Sequence, residues 1–317
     1  MARKMCAATK AFEPEVLWVL AELGTVSVGY HLHNMMGLPI HATVYDAHET
    51  ARWHLPSLYY PWYIRSVDRF FSELASFDAI SEEMAQYLKT RYPNLTNVDE
   101  AICQPFVVSG YCASSPSSPW ELNDCTKRIA FCGTNRMNSE QWQAFLDALG
   151  KLPNKFEIVA FAYKDSFPQA GVFPSNVSAT FLPFMDSEAQ IIEKFLSLRV
   201  HAGYLGLWKD PKRLLFGNTS LSAKLTTYAA AGCPVIVDAT ESSVAWRLVK
   251  KYHAGVLFNG QTDDLKLLFE NREEWLRMAN GSIEMCRNEF NVDKNVAPLR
   301  KMLEKISKIK VSKTNPS

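Results

Sequence analysis

The chemistry of this sequence gathers around Lys224. It stands in Ser220-Leu-Ser-Ala-Lys224-Leu-Thr-Thr-Tyr228-Ala-Ala-Ala-Gly232-Cys-Pro234-Val-Ile-Val, where a polar loop of small residues feeds a helix that ends at Gly232, and Pro234 leads into an apolar strand. The first turn of a helix presents free N–H groups and the positive end of the dipole, and a lysine there strengthens a site for a diphosphate. A lysine on a solvated helix face would fit the same pattern. Upstream, Gly133-Thr-Asn-Arg136 follows the apolar run Arg128 to Cys132 as a tight loop. Gly133 lets a backbone approach a phosphate closely, and Arg136 would add a second cation or pair with Glu140 one turn on.

Five histidines (His31, His33, His41, His48, His54) fall in one short window. His31-x-His33 with Asp46 invites a metal reading, but there is no HExxH spacing and no cysteine partner, so no metal is expected. The seven cysteines are odd in number and never form a CxxC pair, which argues against a disulfide framework and a structural zinc site. Leu58-Tyr-Tyr-Pro-Trp62-Tyr63 is an aromatic segment suited to a sugar platform, to contact with a membrane-bound acceptor, or to packing between domains.

These residues need a scaffold, and the hydrophobic pattern supplies an α/β one. Val16 to Ala21 and Pro39 to Tyr45 read as short strands separated by a helical stretch, with Phe77 to Ile80 following a helix over Ser66 to Leu74. Ser81-Glu82-Glu83-Met84 places a hydroxyl at an N-cap and acids in the first turn of a helix running to Arg91. The Ser/Pro-rich stretch 109–124 has linker chemistry, so domains are expected at 1–124 and 125–290, with a helix and basic tail over 291–317. In the second half, strands at 128–132, 156–161, 179–182, 200–205, 235–237 and 255–258 alternate with helices at 139–149, 187–198, 221–231, 242–252 and 262–271. That is a complete doubly wound α/β domain.

Composition limits the options. A chain of 317 residues with 47% apolar and 21% charged content is globular, and 34 basic against 33 acidic residues removes the electrostatic footprint of a nucleic-acid binder. Glu22 interrupts the best apolar window well short of the roughly 18 residues a membrane span needs, and no signal-peptide order opens the chain. A cytoplasmic protein is expected. The tail lysines Lys301, Lys305, Lys308, Lys310 and Lys313 would at most graze an anionic membrane surface.

The Lys224 segment resembles the nucleotide-sugar-binding helix of GT-B glycosyltransferases of the family 4 type, whose pattern Lys-Leu-x-x-Tyr-x-Ala-x-Gly-x-Pro-Val-Ile is matched by Lys224, Tyr228, Ala230, Gly232, Pro234, Val235 and Ile236. Ile129 to Arg136, Ala254 to Phe258, Asp78 to Pro93 and Gln104 to Val107 are similar to further family segments, so the resemblance covers about residues 14–290. It implies two Rossmann-like doubly wound domains and transfer of a sugar from a nucleoside diphosphate donor to a carbohydrate or lipid-linked acceptor. No cofactor or metal is implied, and the oligomeric state is left open. Lys224 and Arg136 would neutralise the diphosphate with Gly133 beneath it. The family's first-domain base would fall on Asp46 or His48, with Tyr45 standing where the pattern has histidine.

Two departures sharpen the expectations. The glutamate that binds the donor ribose in many family members is Thr227 here, which leaves that contact to Thr226, Thr227, backbone groups or Glu241. The strand at Val16 matches a mid-domain strand of the family, so the opening strands and their Gly-rich loop are expected to be absent. Either Met1 is an internal start, or the acceptor domain is trimmed. A non-catalytic nucleotide-sugar-binding subunit and a sugar-nucleotide epimerase remain as alternatives on the same scaffold.

Overall fold

The computed structural model describes residues 12–107, 111–121, 125–133, 138–161, 172–183 and 185–308. The chain divides into two compact units: Met1–Gln104 with Asp293–Ser317, and Pro105–Val292. The Ser/Pro-rich stretch thus joins the second unit rather than ending the first. The physical reason is hydrogen bonding, since Ser117 donates to Leu196 O at 3.2 Å and Arg199 to the Glu121 carboxylate at 2.7 Å.

The first unit holds a parallel sheet in the order β1 (Leu17–Leu20), β2 (Ile40–Val44), β3 (Leu74–Ala79) and β4 (Asp99–Ile102). Helices α1 (Thr25–Met36), α2 (Tyr60–Ser72) and α3 (Glu82–Arg91) make the crossovers. Because the strands run in sequential order and such crossovers are right-handed, the three helices share one face. Among the described residues this sheet is one wing of a doubly wound arrangement. Ser81 caps α3 by accepting from Met84 N–H at 3.0 Å.

The opposite face of this sheet carries a buried polar network. His41 on β2 lies 2.8 Å from Ser76 Oγ through Nδ1 and 2.7 Å from Asp78 Oδ1 through Nε2, and Thr43 donates to the same oxygen at 2.6 Å. The arrangement has the residue types of a nucleophilic triad, but all three side chains of His41, Ser76 and Asp78 are fully buried and no substrate could reach them. It is a core network in which Asp78 Oδ1 faces both His41 and Thr43, while the buried Asp78 Oδ2 has no partner among the described residues.

The second unit is the complete domain. Its strands are β5 (Thr126–Cys132), β6 (Lys155–Phe161), β7 (Val177–Phe181), β8 (Ala202–Gly206), β9 (Val235–Asp238) and β10 (Gly255–Leu257), all parallel in the order β10-β9-β8-β5-β6-β7. That is the dinucleotide-fold order, and it reverses between β5 and β8. Helices α4 (Ser139–Gly150), α5 (Glu188–Leu198), α6 (Leu214–Thr219), α7 (Ala223–Ala230), α8 (Val244–Lys251), α9 (Asp263–Glu270) and α10 (Arg272–Glu289) cover it, and α11 (Val292–Ile306) returns the chain to the first unit. A core cluster packs Trp142, Phe145 and Leu149 of α4 with Phe131, Tyr204, Phe269 and Trp275 against one face.

None of the helices among the described residues is long and apolar enough to cross a membrane. At the start of α2, Leu58, Tyr59 and Trp62 are exposed by 75%, 61% and 67%, so the aromatic segment is not consumed by packing within its own unit.

Candidate functional site

Where the winding of the second sheet reverses, β5 and β8 must part, and their last backbone groups lose each other as partners. Tyr228 of α7 fills the gap. Its hydroxyl accepts from Cys132 N–H at 3.1 Å and donates to Tyr204 O at 2.9 Å. Gly203 makes room, because a Cβ there would overlap the Tyr228 ring. Burial raises the phenol far above its ordinary value, so it stays a donor. The motif tyrosine is therefore a strut that holds the mouth of the sheet open.

Gly133 and Lys224 meet at that mouth. Gly133 ends β5 with φ 63°, a conformation that favours glycine, and its N–H donates to Phe161 O at 3.0 Å. A Cβ at Gly133 would come 3.3 Å from Lys224 Cε, so the lysine stem lies directly over the glycine. Lys224 Nζ sits 5.5 Å from the Phe131 ring centroid, and its charge partly counters the burial that pushes the Cys132 thiol up to about 12. Lys224 occupies the first turn of α7, whose N-cap residue Ser222 makes no side-chain cap. The helix thus directs its N-terminal end at the same space as the ammonium group.

Thr227, one turn further, is buried, and its hydroxyl donates to Glu188 Oε1 at 2.8 Å. Thr226 lies 3.1 Å from the same oxygen and 2.6 Å from Ala223 O, so its single proton serves the nearer carbonyl. Glu188 begins α5, and no further bond is made by its Oε2 among the described residues. A carboxylate therefore stands beside the position where the family pattern has one, delivered by a different helix. No local motif marks Glu188 in the sequence. Its only signal is an acid next to the Ser187 N-cap.

A cavity of about 490 Å³ opens at the carboxyl ends of β8, β9 and β10, beside the start of α4. Its floor is an ion pair between the half-buried Lys209 and the buried Asp238, with Lys209 Nζ 2.5 Å from Asp238 Oδ1 and Tyr204 donating to Oδ2 at 2.5 Å. Burial raises the Asp238 carboxyl, while Lys209 pulls it down. Gln141 ties α4 to this edge by donating to Leu207 O and Asp238 O, each at 2.9 Å. The volume is that of an ordinary small-molecule site. Lys209 and Gln141 carry no sequence pattern that would have singled them out.

The remaining expected residues are dispersed. Glu241 is exposed in the turn after β9, where Thr240 and Ser242 both bond to Asn218 Oδ1, at 3.1 and 2.9 Å, while Glu241 itself makes no bond among the described residues. Arg136 lies outside the described residues. In the first unit, Asp46 follows β2 half-buried, whereas His48 is 5% exposed in a box of Phe71, Tyr87 and Tyr92. Its Nε2 lies 2.7 Å from the Tyr92 hydroxyl, and burial lowers its pKa against the opposing pull of Glu49. His48 is thus a core imidazole enclosed by these aromatic rings. His33 and His41 are likewise engaged separately, the first with Leu38 O at 2.7 Å.

Comparison of the whole architecture with solved structures decides the fold. Sucrose-phosphate synthase from Thermosynechococcus elongatus superposes with a TM-score of 0.67 at 10% identity, covering 96% of this chain and 77% of that one. The Anabaena protein HepE, solved with UDP, gives 0.65 at 13% identity over 97% and 82% of the two chains. The trehalose 6-phosphate synthase of Burkholderia multivorans gives 0.65 at 11%, over 96% and 75%. This chain has the GT-B fold. No family model and no curated protein matches the sequence. At these identities the likeness of the GT-B chain to its neighbours is one of architecture, and its chemistry has to be read from its own residues.

Proposed function

We propose that this protein is a glycosyltransferase that moves a sugar from a nucleoside diphosphate sugar to a carbohydrate or lipid-linked acceptor, in the assembly of a polysaccharide or glycolipid. The observation that carries the proposal is Lys224 lying over Gly133 at the reversal of the second sheet, with α7 aimed at the same space. In such a transfer the bond from the anomeric carbon to the diphosphate breaks, and negative charge grows on the departing oxygens. An ammonium group and a helix N-terminus fixed beforehand stabilise that charge without reorganising. This assigns leaving-group stabilisation to Lys224, assisted by Arg136, and requires no metal for that step. Glu188 takes the place left by the missing glutamate, and its free oxygen accepts a hydroxyl of the donor's ribose. The cavity beside Lys209 has the size for the nucleoside end. Among first-unit residues, Asp46 is the proposed general base, since His48 is enclosed.

Solved GT-B neighbours include HepE bound to UDP and to UDP-glucose, which supports a uridine diphosphate sugar as the first donor to try. Incubation with UDP-, GDP- and TDP-sugars tests the reading. A transferase releases free nucleoside diphosphate, and Lys224→Ala abolishes the release while the circular dichroism spectrum is retained. Isomerised donor would make it an epimerase, and binding without turnover would make it an assembly subunit.

A further inference from the structure

Residues 111–114 form a strap across the second unit. Ala113 N–H donates to Ala230 O at 2.7 Å, at the end of α7, and the Arg287 guanidinium on α10 donates to Ala113 O and Ser114 O, each at 3.3 Å. Cys112 lies half-buried inside this strap, with its sulfur 4.0 Å from Ile283 O of α10. One turn along the same helix from Ile283 stands the buried Cys286, beside the Arg287 that holds the strap. The strap and the helix thus bring together two thiols that are 174 positions apart (286 − 112 = 174).

We propose that Cys112 is a site of oxidative modification, with Cys286 as its resolving thiol, and that the two close an intramolecular disulfide between the strap and α10. The surroundings separate their roles. The neighbouring Cys286 thiol draws the Cys112 thiol below the ordinary cysteine value, with Arg287 adding to the effect and burial opposing it. The Cys112 side raises Cys286 in turn, and burial raises it further, so it keeps its proton until it reacts. Attack by the Cys112 thiolate on a hydroperoxide breaks the O–O bond, releases hydroxide or alkoxide, and leaves a sulfenic acid. The Cys286 sulfur then attacks that sulfur. An S–S bond forms, the S–O bond breaks, and the hydroxyl departs as water with the Cys286 proton. Two thiols are oxidised and one peroxide is reduced.

The other described cysteines lack this arrangement. Cys103, Cys132 and Cys233 are buried with thiols pushed well up by desolvation, and Cys125 is exposed.

The test uses the full reduced chain with hydrogen peroxide under native conditions, followed by thiol counting after denaturation and by peptide mass mapping. Of the seven cysteines, two should disappear, in a peptide pair joining Cys112 to Cys286. In Cys286→Ser the sulfenic acid should persist at Cys112 and be trapped by dimedone, and in Cys112→Ser the Cys286 thiol should stay reduced. Retention of all thiols in the native chain, a linked pair involving other cysteines, or no dimedone adduct at Cys112 in Cys286→Ser would overturn the proposal. The native-chain result decides the matter even if a serine variant folds poorly.

Discussion

Tyr228→Phe removes one oxygen atom from the second unit, and its consequence can be worked from the geometry. The hydroxyl accepts from Cys132 N–H at 3.1 Å and donates to Tyr204 O at 2.9 Å, inside a wholly buried setting. Phenylalanine keeps the ring against Gly203 but leaves one backbone donor and one acceptor unpaired where β5 and β8 part. An unsatisfied buried polar group costs about 1–3 kcal/mol, so the expected loss is about 2–4 kcal/mol, with the strands' partial closure setting where in that range it falls. For a unit of this size that corresponds to a fall in Tm on the order of 10 °C. Urea unfolding followed by tryptophan fluorescence would read it as a lower midpoint at unchanged slope. Gly203→Ala should cost at least as much, since its Cβ cannot coexist with the ring. A midpoint for Tyr228→Phe within about 0.5 kcal/mol of the parent would refute the strut, because surface substitutions alone reach that size.

The first unit makes a parallel prediction. His41→Leu leaves the buried Asp78 side chain, 2.7 Å from the lost ring, with the Thr43 hydroxyl as its remaining donor, and should cost about 1–3 kcal/mol in the same urea experiment. If Glu188 accepts a donor hydroxyl, Glu188→Gln should weaken nucleoside diphosphate binding about tenfold in calorimetry, whereas binding of inorganic pyrophosphate should not change. Buried His48 has a folded-state pKa below its ordinary value, so the unfolded chain takes up its proton first as pH falls. Its contribution to stability is therefore neutral above the unfolded imidazole value of about 6.5 and becomes progressively unfavourable below it. His48→Phe should flatten the loss of the urea midpoint in that acid window, and an unchanged slope would show that His48 is not held neutral.

The sequence carries the strand and helix order of the second unit because each crossover repeats a buried apolar run and an amphipathic helix between loops. It also carries Lys224 and Gly133, since a helix-start lysine and a turn glycine are local signatures. That they touch is tertiary, and no spacing states it. Glu188 escapes sequence reading because Thr227 recruits it across two helices. His48 looks catalytic beside Asp46 in the chain. Its aromatic box is built by Phe71, Tyr87 and Tyr92 from α2, α3 and the turn beyond α3, far along the sequence. The short α6 over Leu214–Thr219 is too brief for periodicity to register. The Ser/Pro stretch has linker composition, and it is side-chain bonds from Arg199 and Arg287 that fasten it to the second unit.

The central claim is that Lys224 over Gly133 forms a nucleoside diphosphate site, and titrating UDP, GDP and TDP against the thermal transition of the parent and of Lys224→Ala tests it most directly. Ligand binding to the folded state raises Tm by mass action, and about 2.7 kcal/mol of added stability is expected at a hundredfold excess over Kd. At least one of the three diphosphates should raise the Tm of the parent, and Lys224→Ala, folded to the same extent, should lose most of that rise. No rise with any of them, or an equal rise in the variant, would contradict the claim.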